Sequence, residues 1–170
     1  MTHQMTRNEA IKLIKTSSKY DHSIRVAEMM KKLADFFNED SSEWELVGLL
    51  HDLDYDQTVG SRQVHGIIAG EILQGQISEI GIDAIKSHDY RTRIEPNNLM
   101  ARILIACDAC DSLIELMKLK EMNINKLTIM QLLESWTIEK PWLKELIKKV
   151  ENEKITLDVF LDYCLMVNKK

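Results

Sequence analysis

Chain breakers are scarce in this sequence. Two prolines and six glycines are spread over 170 residues, so there are few places for a helix to stop. No strand-like alternation of useful length, no internal repeat and no low-complexity segment is present. Cysteine is equally sparse. Three residues, an odd and small number, argue against a secreted disulfide framework and for a reducing cytoplasm. No apolar run approaches the ~18 residues of a membrane span. The opening "MTHQMTRNEAIKLIK" lacks the continuous apolar stretch of a signal peptide. Positive charge is also in deficit. A net charge of −5 argues against a surface that coats nucleic acid, although a local basic pocket is compatible with it.

What remains is a helical pattern. The chain length fits one domain with a core of its own, and the apolar share of 45% and charged share of 29% are ordinary globular values. Ile11, Leu13 and Ile14 mark a short first helix. Val26, Met29, Met30, Leu33 and Phe37 recur at helical spacing in a second, with Asp21 or Ser23 as its cap. Trp44, Val47, Leu50 and Leu53 mark a third. A loop at "QTVGSRQ" leads to a fourth helix around Ile67 to Leu73. A fifth is expected from about Ser78 to His88. Pro96 marks the entry to a long sixth, from about Asn97 to Lys120. After a break at Asn123 to Asn125, two or three more helices follow, one opened by Pro141 and the last running from about Thr156 to Asn168. The expected fold class is all-α. The core is expected over about 20–120, with a C-terminal helical extension over about 123–170 inside the same single domain.

Histidine is rare and its placement is ordered. His22, the doublet His51-Asp52, His65, His88 and Asp108 follow one another, close to one histidine per expected helix. Imidazole with carboxylate suits Mn, Fe, Co, Ni or Zn. Six such groups exceed what one ion needs, so the series reads as a centre for one or two ions. His51 and Asp52 are sequence neighbours and diverge by ~100° on a helix, but both reach one site if the ion sits near the helix end. Asp52, with two carboxylate oxygens, is then the natural bridge between two ions. His22 and Asp108 complete the first shell, and His65 and His88 hold the second ion. A mononuclear centre would use His22, His51, Asp52 and Asp108 alone.

The order H…HD…H…H…D resembles the HD-domain superfamily of metal-dependent phosphohydrolases. The segments carrying the resemblance are "YDHSIRVAEMMKKLA", "ELVGLLHDLDYDQT", "VHGIIAGEIL", "AIKSHDYRT" and "ILIACDACDSLIEL", from roughly Tyr20 to Leu116. The six-ligand, two-metal branch matches best, in particular small stand-alone hydrolases carrying "HDLDYD". The resemblance implies an HD-domain helical bundle, the same ligand allocation, and hydrolysis of a phosphate ester by a metal-bound, bridging hydroxide. The substrate expected is a nucleotide or another small phosphorylated metabolite, and phosphomonoester and phosphodiester remain open. The alternative is a catalytically quiet HD module that binds a ligand or partner for regulation; nothing in that role needs six ligands.

A phosphate substrate asks for cations near the metals. Arg25 lies one helical turn from His22, Arg62 precedes His65, and Lys86, Arg91 and Arg93 flank His88. Arginine offers a bidentate fork. Arg25 and then Arg91 are the first choices as phosphate-binding partners of the catalytic Asp52. Asp54 and Asp56, just past the doublet, fit either carboxylates that orient an imidazole or solvated loop charges. Asp89 and Asp111 read as surface or capping residues. "CDAC" at Cys107–Cys110 lacks the preceding strand of a redox motif and the second pair of a zinc knuckle, so both cysteines read as core packing. The methionines Met29, Met30, Met100, Met117, Met122 and Met130 read as core. Trp136 and Trp142 fit either the core or a dimer face. Leu53-Asp54-Tyr55 stands where many HD proteins have Ile-Gly-Lys, so no lysine carries over as a leaving-group acid. "SLIEL" departs from the expected "GLI", and no Gly-Tyr-Pro motif supports cyclic-dinucleotide hydrolysis.

Overall fold

A computed structural model describes residues 5–135 and 139–168. The described residues are all-α, without a strand. No helix among them is long and apolar enough to cross a membrane. The chain divides into two compact units, residues 1–104 and 105–170.

The first unit holds α1 (Arg7–Ile14), α2 (Tyr20–Phe37), α3 (Ser41–Leu50), α4 (Ile67–Ile72), α5 (Glu79–Ser87) and the start of α6 (Leu99–Leu119). Local chemistry sets most of the boundaries. Thr6 and Glu9 form a reciprocal capping box at α1, satisfying two orphan N–H groups. Asp40 caps α3 through the N–H groups of Ser42 and Glu43, and Ser78 caps α5 through that of Gly81. α2 differs from expectation. It begins at Tyr20 after Lys19, with no side-chain cap, so neither Asp21 nor Ser23 is its cap. Asp21 instead sits in the first turn, where a carboxylate favours the positive end of the helix. Asn38 closes α2 in the left-handed conformation, φ 58°, which asparagine tolerates better than most residues.

Buried apolar faces hold this unit together. Val26, Met29, Met30 and Leu33 of α2 pack with Trp44, Val47, Leu49 and Leu50 of α3. α3 also packs on α1 and α5. Gly48 permits the close approach of α2 and α3, because a Cβ there would lie 2.6 Å from Ala27 Cα. Any side chain at 48 would push the two helices apart.

The second unit takes most of α6, then α7 (Lys126–Glu134), α8 (Trp142–Lys148) and α9 (Leu157–Val167). Asn125 caps α7, Pro141 precedes α8 and Thr156 caps α9. Cys107, Cys110 and Cys164 are free and buried, and burial pushes the Cys107 and Cys164 thiols up. Those two have little thiolate character, and all three cysteines are packing residues. Two expectations fail here. Asp111 is fully buried, not a surface residue, and Met130 is exposed. A 3.6-residue repeat leaves residues at the border of a helix face ambiguous. Trp142 is 46% exposed and so is not a core residue, while Trp136 lies outside the described residues.

One buried charge ties three helices. Glu45 of α3 accepts from Arg7 Nε of α1 at 2.6 Å and from Lys31 Nζ of α2 at 2.8 Å. Burial disfavours its carboxylate, but Lys31 and Arg7 more than offset this and hold its pKa below the ordinary 4.5. A depressed carboxylate stabilises the fold above its unfolded pKa, and that contribution fades as pH falls through the folded value. Both cations are about half exposed, so solvent screening limits the gain to about 1 kcal/mol. Glu45→Gln should therefore cost about 1 kcal/mol in urea unfolding at pH 7. The gap to the wild type should close as the pH drops below 4.5. A gap independent of pH would mean that the effect is packing, not charge.

Candidate metal centre

Four elements of the first unit each bring one histidine inward. His22 stands in the first turn of α2, His51 is the residue that ends α3, and His88 ends α5. His65 follows a loop of two 3₁₀ turns, Asp56–Thr58 and Arg62–Val64. All four are at most 5% exposed, as is Asp52. Gly66 makes the last juxtaposition feasible. Its φ is +83°, and a Cβ there would lie 2.5 Å from Ile85 O and 3.0 Å from His88 Nδ1. Only glycine lets the chain turn so closely against the end of α5. The His65 and His88 rings consequently sit with centroids 4.8 Å apart.

Asp52 lies among these four rings, and its two oxygens face different pairs. Oδ1 is 2.9 Å from His65 Nε2 and 3.6 Å from His88 Nε2. Oδ2 is 3.5 Å from His51 Nε2 and 3.7 Å from His22 Nε2. Burial alone would raise the pKa of this carboxyl. The surrounding imidazoles His51, His65, His88 and His22 reverse that and hold it well below the usual range. Asp52 is thus a carboxylate, with acceptor lone pairs on both oxygens.

The far side of three rings is also fixed. His51 Nδ1 donates to Gly48 O at 2.8 Å, and His88 Nδ1 donates to Ile85 O at 2.6 Å. A carbonyl only accepts, so the proton must be on Nδ1, and in the neutral ring Nε2 carries the lone pair. His65 Nδ1 donates to Asp54 Oδ1 at 2.7 Å. Asp54 Oδ2 in turn accepts from the backbone N–H groups of Gly66 at 2.8 Å and Ala69 at 3.0 Å. Asp54 is fully buried. It is an orienting carboxylate, not a solvated loop charge, and its partner histidine is His65. Outer carboxylates and carbonyls of this kind set the tautomer and basicity of metal-ligating imidazoles.

This donor set fits divalent transition metals. Nε2 lone pairs and carboxylate oxygens converge, and ligand atoms of His51, Asp52 and His88 all lie within 4.8 Å of one another. Without an ion, the same geometry stabilises a proton. Burial opposes charge on His65, but Asp52 and Asp54 outweigh it and raise its pKa to about 9.

The remaining sequence-derived candidates have varied surroundings. Arg25 is half-buried on α2, one turn from His22. Asp108 is half-buried on α6, in the unit that begins at residue 105. Arg91 grips Asp89, with Nε 2.9 Å from Oδ1 and Nη2 also on the carboxylate. Asp89 is therefore buried and ion-paired, not a surface group, although it does cap the 3₁₀ turn Tyr90–Thr92. Asp56 is exposed and accepts from Ser18 N at 2.9 Å. Lys86 lays its stem against Gly70, where a Cβ would meet its Cε at 2.6 Å, and Arg93 is exposed in the left-handed conformation.

No expectation attaches to Tyr55, Lys19 or Thr58, whereas Arg62 is one of the expected cations. Tyr55 packs its ring edge-on to His65, centroids 5.4 Å apart. Arg62 and Lys19 lie over the Tyr55 ring, 3.7 and 4.5 Å from its centre. Thr58 Oγ1 sits between Arg62 Nη1 and His65 Nδ1, at 3.2 and 3.5 Å. Nothing in the sequence brings Lys19 to Tyr55, and the only signal for Tyr55 is that it lies in "HDLDYD".

Asp54→Asn should lower the affinity for Mn or Zn by about 10- to 100-fold, the usual cost of losing an outer carboxylate. The fold should survive, because an amide oxygen can still accept from the two backbone N–H groups. Titration calorimetry on metal-free protein measures this directly, and an unchanged affinity would contradict the role given to Asp54.

Among curated proteins the chain is similar to a symmetrical bis(5'-nucleosyl)-tetraphosphatase of Staphylococcus aureus (strain NCTC 8325 / PS 47). Identity is 34% over 92 residues, covering 41% of this chain and 47% of the relative. The chain thus spans about half the length of that relative. No solved structure matches the chain. Residues 20–113, which hold all six residues of the histidine–aspartate series, match the family described as HD domain, and the chain belongs to that family.

Proposed function

We propose that this protein is a metal-dependent phosphohydrolase acting on a nucleotide or a related small phosphorylated metabolite through a dinuclear centre. The observation that carries the reading is the placement of Asp52, one oxygen toward His65 and His88 and the other toward His22 and His51. One carboxylate serving two imidazole pairs is the arrangement that a bridge between two ions requires. Asp108 is proposed as the sixth ligand on the order of the residue series alone. The similarity to a bis(5'-nucleosyl)-tetraphosphatase supports a nucleotide with linked phosphates as substrate. Three buried, reduced thiols support a cytoplasmic setting.

Divalent ions at such a centre supply a water whose pKa falls from 15.7 toward ~7 and positive charge for the phosphoryl oxygens. The chain's own groups do the rest. His51, His65 and His88 hold their Nε2 lone pairs inward because Nδ1 is committed to Gly48, Asp54 and Ile85. Asp52 stays ionised throughout and keeps the two histidine pairs in register. In the reaction the water oxygen bonds to phosphorus as the bond to the leaving oxygen breaks. The proton released by the water ends on that oxygen or in solvent. Arg25 is proposed to steady the phosphoryl group from α2, while Arg91, held by Asp89, is proposed as a more distant cation.

The test is hydrolysis by protein reconstituted with Mn, Fe, Co, Ni or Zn, over nucleotides, dinucleoside polyphosphates and sugar phosphates. At least one metal should support turnover. His88→Ala should lose about half of the bound metal and reduce kcat/KM by ~10²-fold or more, beyond the cost of losing an outer partner. No turnover with any metal and substrate would contradict the enzymatic reading. Full metal content and activity in both His65→Ala and His88→Ala would contradict the dinuclear one.

A further inference from the structure

The arrangement around Tyr55 is not used by the metal centre. Several cations of the chain pair with acids: Arg7 and Lys31 with Glu45, Arg91 with Asp89, and Lys126 with Asp158 and Asp162. Lys19 and Arg62 do not. Among the described residues neither has a carboxylate within ion-pair distance, and both instead rest on the ring of Tyr55. Asp56 is within electrostatic range of Arg62, but both of its oxygens are taken by Ser18.

The cations are held in place, not splayed into solvent. Arg62 Nη1 donates to Tyr55 O at 2.7 Å and to Thr58 Oγ1 at 3.2 Å. This fixes the guanidinium plane over the ring and, among the described residues, leaves the Nη2 and Nε donors uncommitted. All three side chains are half-buried. The cluster also borders the metal ligands. The Tyr55 ring meets the His65 ring, and one hydroxyl, that of Thr58, separates Arg62 from His65 Nδ1. The Thr58 hydroxyl and the His65 ring thus stand between Arg62 Nη1 and His65 Nε2, the atom that faces Asp52.

Two preorganised positive charges beside a dinuclear centre, in an acidic chain, match an anion that continues past the metals. We propose that Arg62 and Lys19, seated on Tyr55, form a second phosphate subsite that receives the phosphoryl group next in line to the one at the metal ligands. The protein then prefers anhydride-linked phosphates to simple phosphomonoesters. A planar guanidinium offers two parallel donors to a phosphate and Lys19 adds a point charge. The ring holds both without neutralising them. This inference rests on the phosphohydrolase reading for its biological meaning, but the subsite is testable by binding alone.

The probes are methylenediphosphonate, which has two phosphoryl groups and no cleavable anhydride, and methylphosphonate, which has one. Their affinities for Mn-loaded protein are measured by calorimetry, with metal content checked for each sample. The wild type should prefer the diphosphonate. Arg62→Met and Lys19→Met should each cut that preference by about tenfold or more, the scale of a lost charge-assisted contact, while leaving metal content and methylphosphonate affinity unchanged. No wild-type preference, or a preference intact in both variants, would overturn the proposal. A loss of affinity for both probes alike would also overturn it, by showing that the residues only support the fold. If Arg62→Met does not fold, Lys19→Met decides, since the Lys19 side chain makes no hydrogen bond to the loop. Preferential diphosphonate binding without hydrolysis of any phosphate ester would leave the subsite standing and remove the phosphohydrolase reading. Phosphomonoester turnover without that preference would do the reverse.

Discussion

The structure turns on one buried carboxylate. Asp52 is 5% exposed and surrounded by four imidazoles. A carboxylate taken out of water is costly unless opposite charge and hydrogen bonds compensate. In the metal-free chain, a proton on His65 provides part of that compensation, which is why its pKa rises to about 9. A divalent ion supplies more charge in the same place and needs the imidazole deprotonated. Metal binding and proton release are therefore linked here.

The local features of the first unit serve this arrangement. Gly48 lets α2 and α3 approach, bringing His22 of one against His51 at the end of the other, with ring centroids 5.3 Å apart. Gly66 lets the loop turn tightly against the end of α5, setting His65 beside His88. Asp54 joins that loop to the site by accepting from one imidazole and two backbone N–H groups at once. The buried Glu45 contact ties α1, α2 and α3 together. Helices that end at these imidazoles, such as α3 at His51 and α5 at His88, aim side chains from a rigid frame. That is the kind of support a metal site needs to hold its geometry.

Much of this was legible in the residues. The order of His22, His51, Asp52, His65 and His88 is a pattern along the chain, and helical spacing places the helices that carry His22 and end at His51 and His88, while His65 lies in a loop. The starts of α5 and α9 follow from Ser78 and Thr156, which are recognisable caps. The start of α2 was not legible, because Lys19 offers no capping group and the acid that attracted the expectation, Asp21, lies inside the first turn. The role of Asp54 was undecided because a carboxylate after the doublet is equally at home in solvent; only its burial and three donors settle it. Tyr55, Lys19 and Arg62 meet through loop geometry. Tyr55 and Arg62 are seven residues apart but lie in a loop of 3₁₀ turns and not on one helix, and Lys19 comes from before α2, so no periodic pattern along the chain brings the three together.

The most direct test of the account is the metal content of protein purified without chelator, for wild type and for Asp52→Ala. The account predicts one to two ions of Mn, Fe, Co, Ni or Zn per chain in the wild type. It predicts loss of most of that metal in Asp52→Ala, because one carboxylate serves both histidine pairs. Elemental analysis that found the variant as fully loaded as the wild type would contradict the central claim.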